Sequence, residues 1–157
     1  MIKSADLISK FKDPSIDTIR WERSNMVIWQ VPTYITNYIE CLPKKIYMHY
    51  KFQDVAHDWF DGLLNTDLYK EIKTYDGCWN VRKKRGLQTL SIHAFGMAID
   101  LNASHNPLGL TREQCIDRGL KPFSKRFIEY SSKYIDCGGL WTTRPDLMHF
   151  QIKKGQI

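Results

Sequence analysis

The sequence predicts an α+β fold, a small antiparallel sheet with helices packed on it. Three observations carry this: strand-like alternation and helix-like periodicity both occur, the connections between them are mostly short, and no repeat or low-complexity linker divides them. At 157 residues the chain can bury a real core without staples, and residues 1–157 are read as a single domain.

Residues 4–12, "SADLISKFK", read as a short helix capped by Ser4 and stopped by Pro14. "MVIWQVP" is a strand or extended segment ending at Pro32. In "KKIYMHYKF" the residues Ile46, Met48, Tyr50 and Phe52 alternate, which suits a strand with one buried face. Phe52, Val55, Ala56, Trp59, Phe60 and Leu63 then form one helical stripe. Thr66 caps a short turn over "DLYKEIKTY", which stops near Asp76-Gly77. "CWNVRKKRG" is a strand or loop, "GMAIDLN" a central strand and "SHNPLG" a loop. Thr111 and Gln114 have capping-box spacing for a helix ending near Gly119. Pro122 opens the next helix, with Phe123, Phe127, Ile128, Ser131, Tyr134 and Ile135 on one face. "CGGLW" is a turn, and "DLMHFQI" the final strand.

Composition removes several function classes. No run of about 18 apolar residues exists, so no membrane insertion is expected. The N-terminus lacks the pattern of a secretory signal, so synthesis and retention in the cytoplasm are expected. Cys41, Cys78, Cys115 and Cys137 are widely spaced and include no C-x-x-C pair, which argues for free thiols rather than a thiolate zinc site. The net charge of +6 fits an anionic partner such as nucleic acid, cell wall or membrane surface. Much of it is local, at Arg82 to Arg85 and at Lys153-Lys154, and charge alone selects none of these partners.

The informative stretch is "SIHAFGMAIDLN", residues 91–102. A carboxylate such as Asp100 rarely enters an apolar strand unless it is paired or on a metal. His93 lies shortly before it, and "DLMHF" supplies Asp146 and His149 downstream. Two imidazoles and one carboxylate, from His93, Asp100 and His149, would hold zinc and leave a position for water. Asp146 is then left over, at a spacing that suits a general base beside the metal. Singly, a histidine in a strand is more often packed or at the surface than a ligand; the combination is the restrictive feature.

The two segments together resemble the zinc D-Ala-D-Ala carboxypeptidase and L-alanyl-D-glutamate endopeptidase family, which is grouped with lysostaphin-type peptidases and the hedgehog signalling domain. The family pattern, S-x-H-x-x-G-x-A-x-D and then a distant acidic residue three before a histidine, is filled by Ser91, His93, Gly96, Ala98, Asp100, Asp146 and His149. The flanks "YDGCWNVRKKRG", "NPLG" and "GGLW" resemble its compact phage endolysin-like branch. The resemblance runs from Tyr75 to Ile152, and residues 1–70 match nothing specific.

This resemblance implies one zinc ion on His93, Asp100 and His149, with Asp146 as general base and later acid. It implies an arginine for substrate or oxyanion, Arg82 or Arg85, with Arg82 preferred. Ser91 would touch substrate or orient His93, and Trp141 would wall the cleft. His49 and His57 have no assigned role, and His105 is a candidate extra cleft residue. The expected activity is hydrolysis of peptidoglycan stem peptides by a monomeric phage lysin that reaches the periplasm after release from the cytoplasm. Three alternatives stand beside it. They are a D-Ala-D-Ala carboxypeptidase, a non-catalytic wall-binding or virion module on the same fold, and a nucleic-acid-binding domain, for which charge is the sole argument.

Overall fold

The computed structural model describes residues 1–157. Its first half is built on a two-stranded sheet and its second on a four-stranded one, both antiparallel, where the sequence predicts a single sheet. Helix α1 (Ser4–Phe11) starts one residue earlier than a Ser4 cap would set it. Ser4 is buried in the first turn, and the Lys3 N–H donates to Asp6 Oδ2 at 2.9 Å. The helix ends where Lys12 takes φ 69°, before Pro14 is reached. Helix α2 (Thr18–Asn25) has no periodic signal in the sequence. Asp17 caps it by accepting the Arg20 N–H, and Trp21 pins it by donating to the Phe11 carbonyl at 2.7 Å.

Strand β1 (Met26–Gln30) pairs with β2 (Lys45–His49) from Met26↔His49 to Gln30↔Lys45, with the one-turn helix α3 (Thr33–Thr36) between them. Ile46 and Met48 are buried as the alternation predicts. The strand stops earlier, however, because His49 caps α4 (Tyr50–Leu64), its Nδ1 accepting the Lys51 N–H at 3.1 Å. Tyr50 and Phe52 are therefore helical. The predicted stripe of α4 is correct, with Val55 at its half-buried margin.

The second sheet has the order β3 (Tyr75–Gly77), β4 (Ala98–Leu101), β6 (His149–Gln151), β5 (Asp136–Cys137). "GMAIDLN" thus supplies an inner strand, as expected. Helix α5 (Arg112–Asp117) carries the predicted capping box: Thr111 Oγ1 accepts the Gln114 N–H and Gln114 Oε1 accepts the Thr111 N–H. Helix α6 (Lys125–Ser131) begins after Ser124, whose Oγ accepts the Phe127 N–H, and not at Pro122. Phe123 stays outside the helix and stacks on Phe127 at 4.2 Å. The final strand is shorter than predicted, so Asp146 lies in the turn before it.

One apolar cluster of 35 buried residues, from Ile2 to Ile152, runs through both halves. Trp59 of α4 packs on Phe150 of β6 at 4.8 Å, and Trp21 meets Phe95 at 6.0 Å. The thiols are free, three buried and Cys41 half-buried. No helix is long and apolar enough to cross a membrane.

The two halves meet tightly at Gly96. Its φ of +63° is the left-handed region, and a Cβ there would stand 2.7 Å from the Met26 methyl and 2.9 Å from the His49 nitrogen. The Gly96 carbonyl accepts the His49 N–H at 3.0 Å, joining the first sheet to the turn that ends the His93 segment.

His49 is fully buried among Phe11, Trp21 and Tyr50, and its Nε2 has no hydrogen-bond partner. Burial pushes the imidazole down from 6.5 to about 4, with a smaller push from Lys51. The unfolded chain therefore binds a proton below pH 6.5 that the folded chain refuses until about pH 4, so stability falls as pH drops through that window. Between pH 7.5 and 5 this site should cost about 2 kcal/mol. Urea denaturation at both pH values should show a smaller acid loss for His49→Gln than for the parent; equal losses would refute the assignment.

Candidate metal centre

Ser91 begins the site. Its Oγ accepts the His93 N–H at 3.3 Å, which starts a 3-10 turn over Ile92–Phe95 that Gly96 closes in the left-handed conformation. This turn directs His93 inward. Strand pairing supplies the other two groups, because Asp100 of β4 and His149 of β6 are direct cross-strand partners and share one face. Asp100 Oδ1 lies 3.0 Å from His93 Nε2 and 3.1 Å from His149 Nδ1, and the two ring nitrogens are 3.2 Å apart. The three donor atoms fall within 4.8 Å of one another.

The outward nitrogens decide the tautomers. His93 Nδ1 donates to the Cys78 carbonyl at 2.7 Å, an oxygen that can only accept. His149 Nε2 donates to Gln151 Oε1 at 2.9 Å. Each ring thereby presents its other nitrogen to Asp100, where an inward proton makes a hydrogen bond to the carboxylate and its loss leaves the lone pair that a ligating histidine needs. Two such nitrogens and a carboxylate oxygen fit zinc, and suit other divalent ions as well.

Electrostatics agree with this geometry. Burial alone would raise the Asp100 carboxyl, but hydrogen bonds from His149 and His93 outweigh it and hold the group well below the usual carboxylate range. His149 moves the opposite way. Burial would lower it, yet the Asp100 carboxylate raises it overall.

Asp146 sits beside this cluster in the turn before β6, its N–H donating to the Gly138 carbonyl and its carbonyl accepting the His149 N–H, both at 3.0 Å. A Cβ at Gly138 would collide with the Asp146 carbonyl, which explains a glycine in "CGGLW". Asp146 Oδ1 is buried and has no hydrogen-bond partner. Burial raises its pKa, His149 opposes this, and the nearby Asp100 charge adds to it.

All of these groups line one cleft of about 780 Å³. Ser91, Trp141, Arg82 and Arg85 line it too, so the site residues expected from the sequence are brought together. His105, the candidate extra cleft residue, is not among them; its Nδ1 accepts the Lys121 N–H at 3.3 Å. His57 lies on α4, where Asp58 and, from α3, Tyr34 are its partners, and His49 is the buried cap described above.

Sequence reasoning missed Lys84, Arg144 and Gln151 as cleft residues. Arg144 Nη1 donates to the Arg85 carbonyl at 2.9 Å and so ties the loop before Asp146 to the basic loop opposite. Its position two residues before Asp146 was the available signal.

Alanine at His93 or His149 removes an inward lone pair. Either variant should lose at least about 100-fold in zinc affinity by chelator competition, since even outer partners of ligands are worth 10–100-fold. Undiminished binding by one variant would remove that residue from the ligand set.

Residues 85–152 match the family model described as D-alanyl-D-alanine carboxypeptidase. No curated protein and no solved structure shows a match. The matched segment contains Ser91, His93, Asp100, Asp146 and His149, whereas Arg82 and the whole first sheet lie outside it. Over residues 85–152, where the cluster and its neighbouring carboxylate reside, the chain is similar to this peptidase family.

Proposed function

We propose that the protein is a zinc metallopeptidase of peptidoglycan stem peptides, and within that class an L-alanyl-D-glutamate endopeptidase acting as a phage lysin. The observation that carries the peptidase reading is the convergence of His93, Asp100 and His149 on a cleft floor beside an unpartnered Asp146 oxygen. A zinc ion on the three ligands would lower the pKa of a water and polarise the scissile carbonyl. Asp146 accepts the proton of the attacking water at its free Oδ1 and returns it to the departing amine. Its raised pKa moves it toward the range in which a carboxyl both takes and gives a proton near neutral pH.

Arg82, or Arg85 across the same loop, binds a substrate carboxylate or the developing oxyanion, for which the forked guanidinium is suited. Trp141 forms an aromatic wall and Ser91 steadies His93. The lysin assignment rests on the flanking segments that resemble the endolysin-like branch. It places synthesis in the host cytoplasm and action on the wall in the periplasm.

A D-Ala-D-Ala carboxypeptidase is the second reading. The family match favours it, and so does the cationic cleft, since Arg82, Lys84, Arg85 and Arg144 would suit a terminal carboxylate.

Digestion of purified Gram-negative sacculi, with fragments identified by mass spectrometry, separates the readings. New D-Glu amino termini that vanish with chelator and return with zinc are expected. Loss of terminal D-Ala alone would establish the carboxypeptidase, and no metal-dependent release would leave a binding module. In the same assay Asp146→Asn should lower turnover by about 10²–10⁴-fold with zinc still bound. Near-parent turnover would exclude Asp146 as the base.

A further inference from the structure

We infer that Gln151 is a positioning residue for the metal centre, held in orientation by Asp136, and that the two together fix the tautomer of His149. The inference rests on the proposal that the His93, Asp100 and His149 cluster binds zinc.

Sheet register builds the arrangement. His149 and Gln151 are two residues apart on β6 and face the same side. Asp136 of β5 is the cross-strand partner of Gln151, just as Asp100 of β4 is that of His149. One face of the sheet therefore sets Asp100, His149, Gln151 and Asp136 side by side. Gln151 is 1% exposed, so its amide is satisfied by protein partners.

The direction of the hydrogen bonds follows from what each group can do. Asp136 as a carboxylate only accepts. Its Oδ2 takes the Gln151 amide N–H at 3.2 Å, and its Oδ1 takes the Trp141 indole N–H at 3.3 Å. The Gln151 oxygen is then the atom left for His149, at 2.9 Å from Nε2. An amide oxygen cannot donate, so the imidazole must carry its proton on Nε2 and keep Nδ1 free. Without this acceptor the neutral ring could place its proton on Nδ1 instead and spend that nitrogen on Asp100, 3.1 Å away. The lone pair would then point away from the cluster. Through Asp136 the same device anchors Trp141, whose ring stands 5.4 Å from that of His149.

Three variants test this, read by zinc affinity in chelator competition and by the visible spectrum of the cobalt(II)-substituted protein. The parent should bind one zinc ion. Gln151→Leu, of similar size but without an acceptor, should weaken zinc by about 10–100-fold and alter the cobalt spectrum. Gln151→Glu alone sets two carboxylates against each other and should also weaken binding. Adding Asp136→Asn to it rebuilds the series, because the asparagine amide can donate to Glu and its oxygen can still accept from Trp141. The double variant should therefore regain the affinity and cobalt spectrum of the parent. A merely structural role would not be rescued by exchanging the two groups. Parent-like zinc binding by Gln151→Leu, or a double variant no better than Gln151→Glu, would overturn the inference while leaving the metal site intact. Failure of the parent to bind zinc would overturn the metal reading and this inference with it.

Discussion

A buried carboxylate on an inner strand is the constraint around which the second half of the protein is arranged. Asp100 sits on β4 between apolar neighbours, where an unpaired charge would cost several kcal/mol. Two imidazoles from different elements compensate it, one delivered by the turn at residues 92–95 and one by strand register. Each imidazole needs a further partner for its outer nitrogen, and finds it in the Cys78 carbonyl and the Gln151 amide. A single hydrogen-bonded series thus crosses the cleft floor from Cys78 to Trp141. Cutting it at any point leaves a buried polar group unmatched, which costs more than the bond itself contributes. The same two ring nitrogens and carboxylate oxygen converge, so the contacts that pair the buried carboxylate through inward protons also place the atoms that would hold a metal once those protons leave.

Strand alternation couples that floor to the core beneath it. On β6, His149 and Gln151 face the cleft while Phe150 points the other way, against Trp59, Phe123 and Phe127. On β4, Ile99 pairs with Phe150 across the sheet while Asp100 pairs with His149. Trp59 belongs to α4, outside the segment that matches the peptidase family. The first half is therefore a buttress. It supplies the apolar layer behind the sheet, and at Gly96 it grips the turn that carries His93.

The motif positions were legible because their residue types conflict with their local surroundings. An aspartate inside "MAIDLN" has no local explanation, and that conflict pointed to His93, His149 and Asp146 before any contact was known. The long stripe of α4 and the capping box of α5 were legible for the opposite reason, since local preference and tertiary role agree there. Helix α2 was not, because it buries only Trp21 and is held by a contact to Phe11 rather than by an apolar face. Tyr50 and Phe52 continued the alternation of β2, but the cap made by His49 ended the strand one residue before Tyr50. Pro122 was read as a helix start where the stronger local signal was the Ser124 hydroxyl. Gln151 and Asp136 carry no motif at all. Their meaning arises from a register between strands 15 residues apart, which spacing along one chain does not encode.

Charge selected no partner at the level of composition, and its placement is more informative. Arg82, Lys84, Arg85 and Arg144 stand around the cleft, so part of the basic excess is focused on the mouth of the cleft rather than spread over the surface. Such a field favours anionic ligands. The floor itself carries Asp100 and Asp146, and these two carboxylates are treated differently. Asp100 has two imidazole partners and is held ionised, whereas Asp146 is buried with one oxygen unmatched and is shifted toward its neutral form. An oxygen already committed to a hydrogen bond is a poorer proton acceptor, because that bond must be broken before the proton arrives. Asp100 and Asp146 thus give the cleft floor two carboxylates of different character, one tied to the imidazoles and one with an oxygen uncommitted to any protein donor.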